Sequence, residues 1–364
     1  MMVNDMNTSL LPKRLESLDA FRGLTMILLV SEGFGIPYLQ DYPHLGWFAH
    51  QFTHHPWHGM YFWDLIQPFF MFIVGVAMPF SFAVRWERGE TWNRSLVHVF
   101  RRSFILFFLG VILHCSYRNR PVWELWNVLT QLSFTYFIAF LFMRKSLRTQ
   151  LIVSFAILLF NYLAYRFIPV PGVTDPWAKD SNLGAFMDRI LMGKINPGGG
   201  WVTINFIGST AHTMWGVIAG TVLKSSRPAG RKILILAAGG VIGIALGLAL
   251  DPLTPIVKRI CTSSFIIESG GWSLLVLALF YTVVDVRGIR KPVKFMVIAG
   301  MNPIFIYLFK ELLGGWLNNF IGIFTLPFLR NLGVAGKIVQ DNIVLLAIWY
   351  IACLLYSRKI FIRI

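Results

Sequence analysis

A histidine and an aspartate, His54 and Asp64, head a long apolar run in the stretch HHPWHGMYFWDLIQPFFMFIVG, residues 54–75. An imidazole titrates near neutrality, and a carboxylate can fix its tautomer and stabilise its charged form, so the pair has the types needed for acid–base or nucleophilic work. An acid at the edge of a membrane segment is costly, which favours a functional reading of Asp64. His50, His54 and His58 recur every four residues, a spacing that could line a metal site on a helix. Pro56 interrupts that helix and no nearby acid completes a metal motif, so no metal is expected.

Other charges stand in apolar surroundings. Asp19 and Arg22, in RLESLDAFRGL, are three apart and would share a helix face. Glu32 lies late in the same apolar segment, and Lys310 and Glu311 interrupt GMNPIFIYLFKELL. Intramembrane acids are functional candidates by default. His212 and Glu268 carry no motif and read as a hydrogen-bonded buried histidine and an interfacial acid.

The elements that must position these groups are set by composition. The 364 residues are 56% apolar and only 14% charged, with a mean hydropathy of +0.62. Soluble domains carry about 25% charge, so the pattern predicts an all-α polytopic membrane protein. The opening residues lack the basic–apolar–small order of a cleaved signal, so the first span is expected to remain as an anchor. A net charge of +16 is spread in small groups between apolar runs, which is a topology signal and excludes nucleic-acid binding. Three distant cysteines without a C-x-x-C support neither a zinc ribbon nor a redox pair.

Hydrophobic runs predict about ten transmembrane helices in a single bundle, at 21–39, 62–84, 102–116, 127–143, 148–168, 203–223, 231–250, 264–284, 293–313 and 340–357. The stretch 316–329, broken by Asn318, Asn319 and Pro327, reads as re-entrant or interfacial. Basic residues concentrate around 13–14, 85–102, 144–148, 224–232, 287–294 and 358–363. The positive-inside rule then puts both termini in the cytoplasm and the histidine-bearing loop 40–61 outside. Long or polar outer segments at 169–202, with NPGGG at 196–200, at 251–263 and at 314–339 suggest a site that opens outward.

The order His54, Trp57, Gly59, Asp64, Pro68, Phe70, Phe72, Gly75 resembles the heparan-alpha-glucosaminide N-acetyltransferase family of membrane-bound acyltransferases. The opening R-L-x-S-x-D-x-F-R-G, the segment NVLTQLSFTYF with Gln131, and STAHTMWGVIAGTVL extend the likeness. In KRICTSSFIIESGGWSLL, Lys258 and Ser264 keep a family loop whose tryptophan and proline are here Cys261 and Ser263. Asn302 and Glu311 fall on positions of a further family span. Where the family carries an asparagine this chain has Gly33, and Glu32 is a candidate substitute.

The resemblance implies one acyltransferase domain over 1–364, of a bacterial type without a lumenal domain, in the inner (cytoplasmic) membrane. It implies acetyl transfer from cytoplasmic acetyl-coenzyme A (acetyl-CoA) to an amino-sugar or glycan acceptor outside, and it leaves a homodimer open. His54 would be the base or transient acetyl carrier, oriented by Asp64. Trp57, Glu32, Lys258, Ser264, Asn302 and Glu311 would bind acceptor, and Arg22 and Gln131 the donor. The competing reading is a secondary transporter for a sugar or acidic solute, using Glu32, Glu311 and Lys310 as coupling groups.

Overall fold

Helix α3, Ile66–Glu87, lies at the centre of the molecule. Its sequence is apolar all round, and Phe69, Phe70, Met71, Phe72, Ile73 and Val76 are all buried, as expected of a helix with no solvent face. A computed structural model describes residues 15–362. Lys13, Arg14 and Arg363, counted toward the inner side, lie outside the described residues.

The described chain is all-helical, with a lone parallel bridge between Gly59 and Val257. Before α3 come α1, Glu16–Val30, and the short α2, Gly46–His50; after it run α4, Trp92–Arg118, α5, Val128–Phe142, and α6, Leu147–Phe167. Then follow α7, Leu183–Met192, α8, Phe206–Lys224, α9, Ala229–Ala249, and α10, Ser263–Phe280, which ends in a π turn to Val286. The chain closes with α11, Lys294–Gly300, α12, Pro303–Leu329, and α13, Gly333–Ser357. Starts are capped by sequence: Thr91, Asn127, Ser146 and Asn182 each accept a first-turn N–H.

Among the described residues six helical segments are long and apolar enough to cross a membrane, seven if a bent pair counts as one. One of the six, Pro303–Ser357, is the α12–α13 hairpin. The segment holding α3 is 67% buried and α9 only 17%, which separates the centre from the periphery. All ten expected runs fall on helix, but α5 has 15 residues, about 22 Å, against a core of about 30 Å. The bent pair is α1 with the 3-10 turn Glu32–Leu39, at 51°. Glu32, Gly33, Phe34 and Gly35 are all left-handed there, φ +48° to +76°, a run that stops any right-handed helix.

Two expectations need correction. Residues 316–329 are not a separate piece but continue α12 as its second half. Pro327 falls in its last turns, and Gln340 of α13 donates to Asn318 and accepts from Thr325, so the polar groups are satisfied sideways. The run 293–313 is broken at Met301 and Asn302 into α11 and α12.

Small residues set the closest crossings. At Gly75 or Gly216 a methyl would collide with the carbonyl of Thr213 or Phe72 across the α3–α8 seam. That seam fixes the height of α3, and with it the height of Asp64.

Candidate active site

Asp64 sits in the 3-10 turn Phe62–Leu65 that leads into α3, where the helix dipole favours a carboxylate. It is 1% exposed. Its Oδ2 accepts the backbone N–H groups of His55 (3.1 Å) and Tyr61 (2.9 Å), which folds the loop 54–61 back over it. Gly59 is needed in that loop: its φ is +130°, and the His55 ring occupies the space a Cβ would take.

The fold-back brings His54 Nδ1 to 2.9 Å from Asp64 Oδ1. A second strap completes the cluster. Gly59 N–H donates to Ile256 O (2.8 Å), and His58 Nε2 meets Asp251 Oδ1 (2.8 Å). These contacts pin loop 251–262 to the histidine loop and deliver Lys258, whose Nζ lies 3.0 Å from His54 Nδ1 and 3.4 Å from Asp64 Oδ1. Trp201 closes one side, edge-on to His54 (5.8 Å) and beneath the Lys258 ammonium (5.3 Å).

Proton logic assigns the roles. A carboxylate can only accept, so Nδ1 carries the proton and Lys258 must direct its own toward Asp64. Nε2 is left with its lone pair and makes no hydrogen bond among the described residues. Crowding by protein, and then the Lys258 charge, push the His54 pKa below its ordinary value against the pull of Asp64. Burial, partly offset by Asp64, pushes Lys258 down to about 8. At neutral pH the cluster therefore offers a neutral imidazole with a free Nε2, 39% exposed on its open side. Such a group can take a proton or carry an acyl group.

A prediction follows from the sign of that coupling. Lys258→Met keeps the volume and removes the positive charge, so the His54 pKa should rise. The acidic limb of kcat/KM against pH should then move to higher pH. An acidic limb unmoved in Lys258→Met would remove Lys258 from the electrostatics of His54.

Among the other expected site residues, Trp57 joins the cluster's wall, donating to Trp177 O (2.8 Å) and packing against Gly200. Ser264, fully buried at the start of α10, faces Thr262 Oγ1 (3.4 Å) just behind Lys258. Gln131 bonds Gln67, one turn below Asp64 on α3. The remaining four lie elsewhere. Glu32 pairs with Lys310 and lines, with Asp341 and Asn318, a cavity of about 250 Å³ between the bend and α12–α13. Glu311 accepts from Tyr117, and Arg22 joins Asp19 (2.6 Å) to Gly300 O (2.5 Å). Asn302 grips the chain end through Ile360 O (3.0 Å) and Ile362 N (2.8 Å). His50, His54 and His58 diverge, onto Tyr61, Asp64 and Asp251.

Sequence reasoning missed the groups that carry Trp201. Glu124, 2% exposed, collects Lys194 (2.7 Å), His114 (2.8 Å) and Arg118 (3.3 Å). Asp188 accepts from Trp126 Nε1 (2.6 Å) and Thr203 N (3.0 Å). Lone acids, Glu124 in a loop and Asp188 within α7, gave no local signal.

An acid-oriented, lysine-flanked imidazole thus lies at one end of an apolar helical bundle. Residues 14–178, which include His54 and Asp64, match the family described as "Heparan-alpha-glucosaminide N-acetyltransferase, catalytic". Over 98% of its length the chain is 28% identical to the human heparan-alpha-glucosaminide N-acetyltransferase, and over 96% it is 26% identical to that of Mus musculus. The chain is thus similar to heparan-alpha-glucosaminide N-acetyltransferases along nearly its whole length. It covers 61% and 60% of the lengths of these two relatives.

Proposed function

We propose that this protein transfers an acetyl group from acetyl-CoA, supplied at the cytoplasmic face, to the amine of a glucosamine-type acceptor on the outer face. The observation that carries the reading is the neutral His54 imidazole, held through Nδ1 by Asp64 with Nε2 free. The acceptor nitrogen attacks the thioester carbonyl, forming C–N and breaking C–S. His54 Nε2 takes the amine proton and returns one to the departing thiolate. In the two-step variant Nε2 itself holds the acetyl group between donor and acceptor. Lys258, beside the pair, keeps the imidazole unprotonated and adds positive potential where carbonyl oxygen charge develops.

The topology proposed with it has ten passes, both termini cytoplasmic and the His54 loop outside, in a bacterial inner membrane. Basic loops on one side and the straps of 54–61 and 251–262 on the other support it. Sealed inverted vesicles preloaded with glucosamine should yield labelled product inside when labelled acetyl-CoA is added outside, while right-side-out vesicles should not. The opposite pattern would reverse the orientation. No transfer in either preparation, nor after detergent, would sink the chemistry.

A transporter reading draws on one observation, the bent α1 opening onto the Glu32–Lys310–Asp341 cavity. Such a protein would move solute without coenzyme A.

A further inference from the structure

Asp180 is held at φ +61°, a left-handed conformation that Asn and Asp enter more readily than other side chains. Its Oδ1 is buried and accepts no hydrogen bond from any described residue. Buried carboxylate oxygens are rarely left so, and backbone strain beside an unused acceptor marks functional ground. Gly200 passes close by: a Cβ there would lie 3.2 Å from Asp180 Oδ1 and 2.8 Å from the Trp57 ring.

Arg259 stands between this carboxylate and the catalytic cluster. Its charge acts on Asp64, Asp180 and His54, yet its Nη1 donates to Gly199 O (2.6 Å) and not to a carboxylate. Its guanidinium lies 6.0 Å from the Trp201 ring, which also neighbours His54 at 5.8 Å. An aromatic ring beside His54, a guanidinium and an under-used carboxylate therefore share one neighbourhood.

We propose that Asp180, with Arg259 and Trp201, forms the subsite that reads the hydroxyl groups of the amino-sugar acceptor. Hydroxyls donate, so they need an acceptor such as Asp180; Arg259 donates to the ring's own oxygens; Trp201 gives the apolar face of the sugar a partner. A nucleotide phosphate would be repelled by the carboxylate, which separates this subsite from the acyl donor. The assignment rests on the amino-sugar reading of the acceptor.

Asp180→Asn is the decisive variant, because Asn tolerates the same backbone and removes only the charge. Glucosamine should bind the purified full-length variant on the order of 10–100-fold more weakly in titration calorimetry. Acetyl-CoA affinity and Tm should stay as in the unchanged protein. Equal glucosamine affinity in both proteins, or no glucosamine binding to either, overturns the subsite. A parallel Tm loss, or equal weakening of acetyl-CoA, makes Asp180 a structural loop residue and overturns it too. Transfer of labelled acetyl is read separately. Asp180-sensitive binding without transfer would keep the subsite and remove the enzyme reading; transfer with Asp180-indifferent binding would do the reverse.

Discussion

His54→Ala is expected to abolish the proposed acetyl transfer, with a loss on the order of 10³-fold or more, while the bundle stays folded. The imidazole packs edge-on against Trp201 and is 39% exposed, so its removal leaves no large cavity in the core. What disappears is the free Nε2, and no neighbour can replace it. His55 lies against Tyr61 (4.6 Å), and His58 is occupied by Asp251. His55→Ala and His58→Ala should therefore cost only a few-fold, the latter by loosening the strap to loop 251–262. The check is single-turnover transfer from labelled acetyl-CoA, with near-ultraviolet dichroism as the folding control. Wild-type transfer by His54→Ala would end the proposed mechanism outright.

Asp64→Asn should have the second-largest effect, a loss on the order of 10²-fold or more. The amide keeps an oxygen for the His55 and Tyr61 N–H groups, so the loop should hold its shape. At the His54 side the amide can turn its NH₂ toward Nδ1, which forces the imidazole proton onto Nε2 and blocks the base. Lys258 also loses the only carboxylate within 4 Å among the described residues. Because a buried ammonium without a counter-charge tends to shed its proton, the lysine pKa in this variant should fall further. The rate, measured alongside Tm, decides: a full-rate Asp64→Asn would show that the carboxylate serves the fold and not the chemistry.

Sequence made one half of this site readable. His54 and Asp64 sit on one loop and the turn that follows it, so spacing and residue type were enough to pair them. Lys258 could be found only through the likeness of its loop to a family motif, since nothing local says that it crosses to His54. Trp201, Arg259 and Asp180 were invisible, because their meeting depends on buried acids, Glu124 and Asp188, that anchor separate loops. Helices were legible from hydropathy. The failure at 316–329 has a physical cause: polar residues on α12 are answered by Gln340 across the hairpin, and periodicity along one strand of chain cannot see a partner on another. Asn302 shows the converse, a motif position whose hydrogen bonds go to the chain end.

The strap between residues 54–61 and 251–262 joins positions 204 apart in the chain, His54 and Lys258. A ribosome adding roughly 5–20 residues per second releases the histidine some 10–40 s before its lysine. During that interval the emerging chain has the His54–Asp64 pair but neither the charge that keeps the imidazole neutral nor loop 251–262 closing over it. The cluster is thus complete only late in synthesis, once α10 seats against α3 and α9.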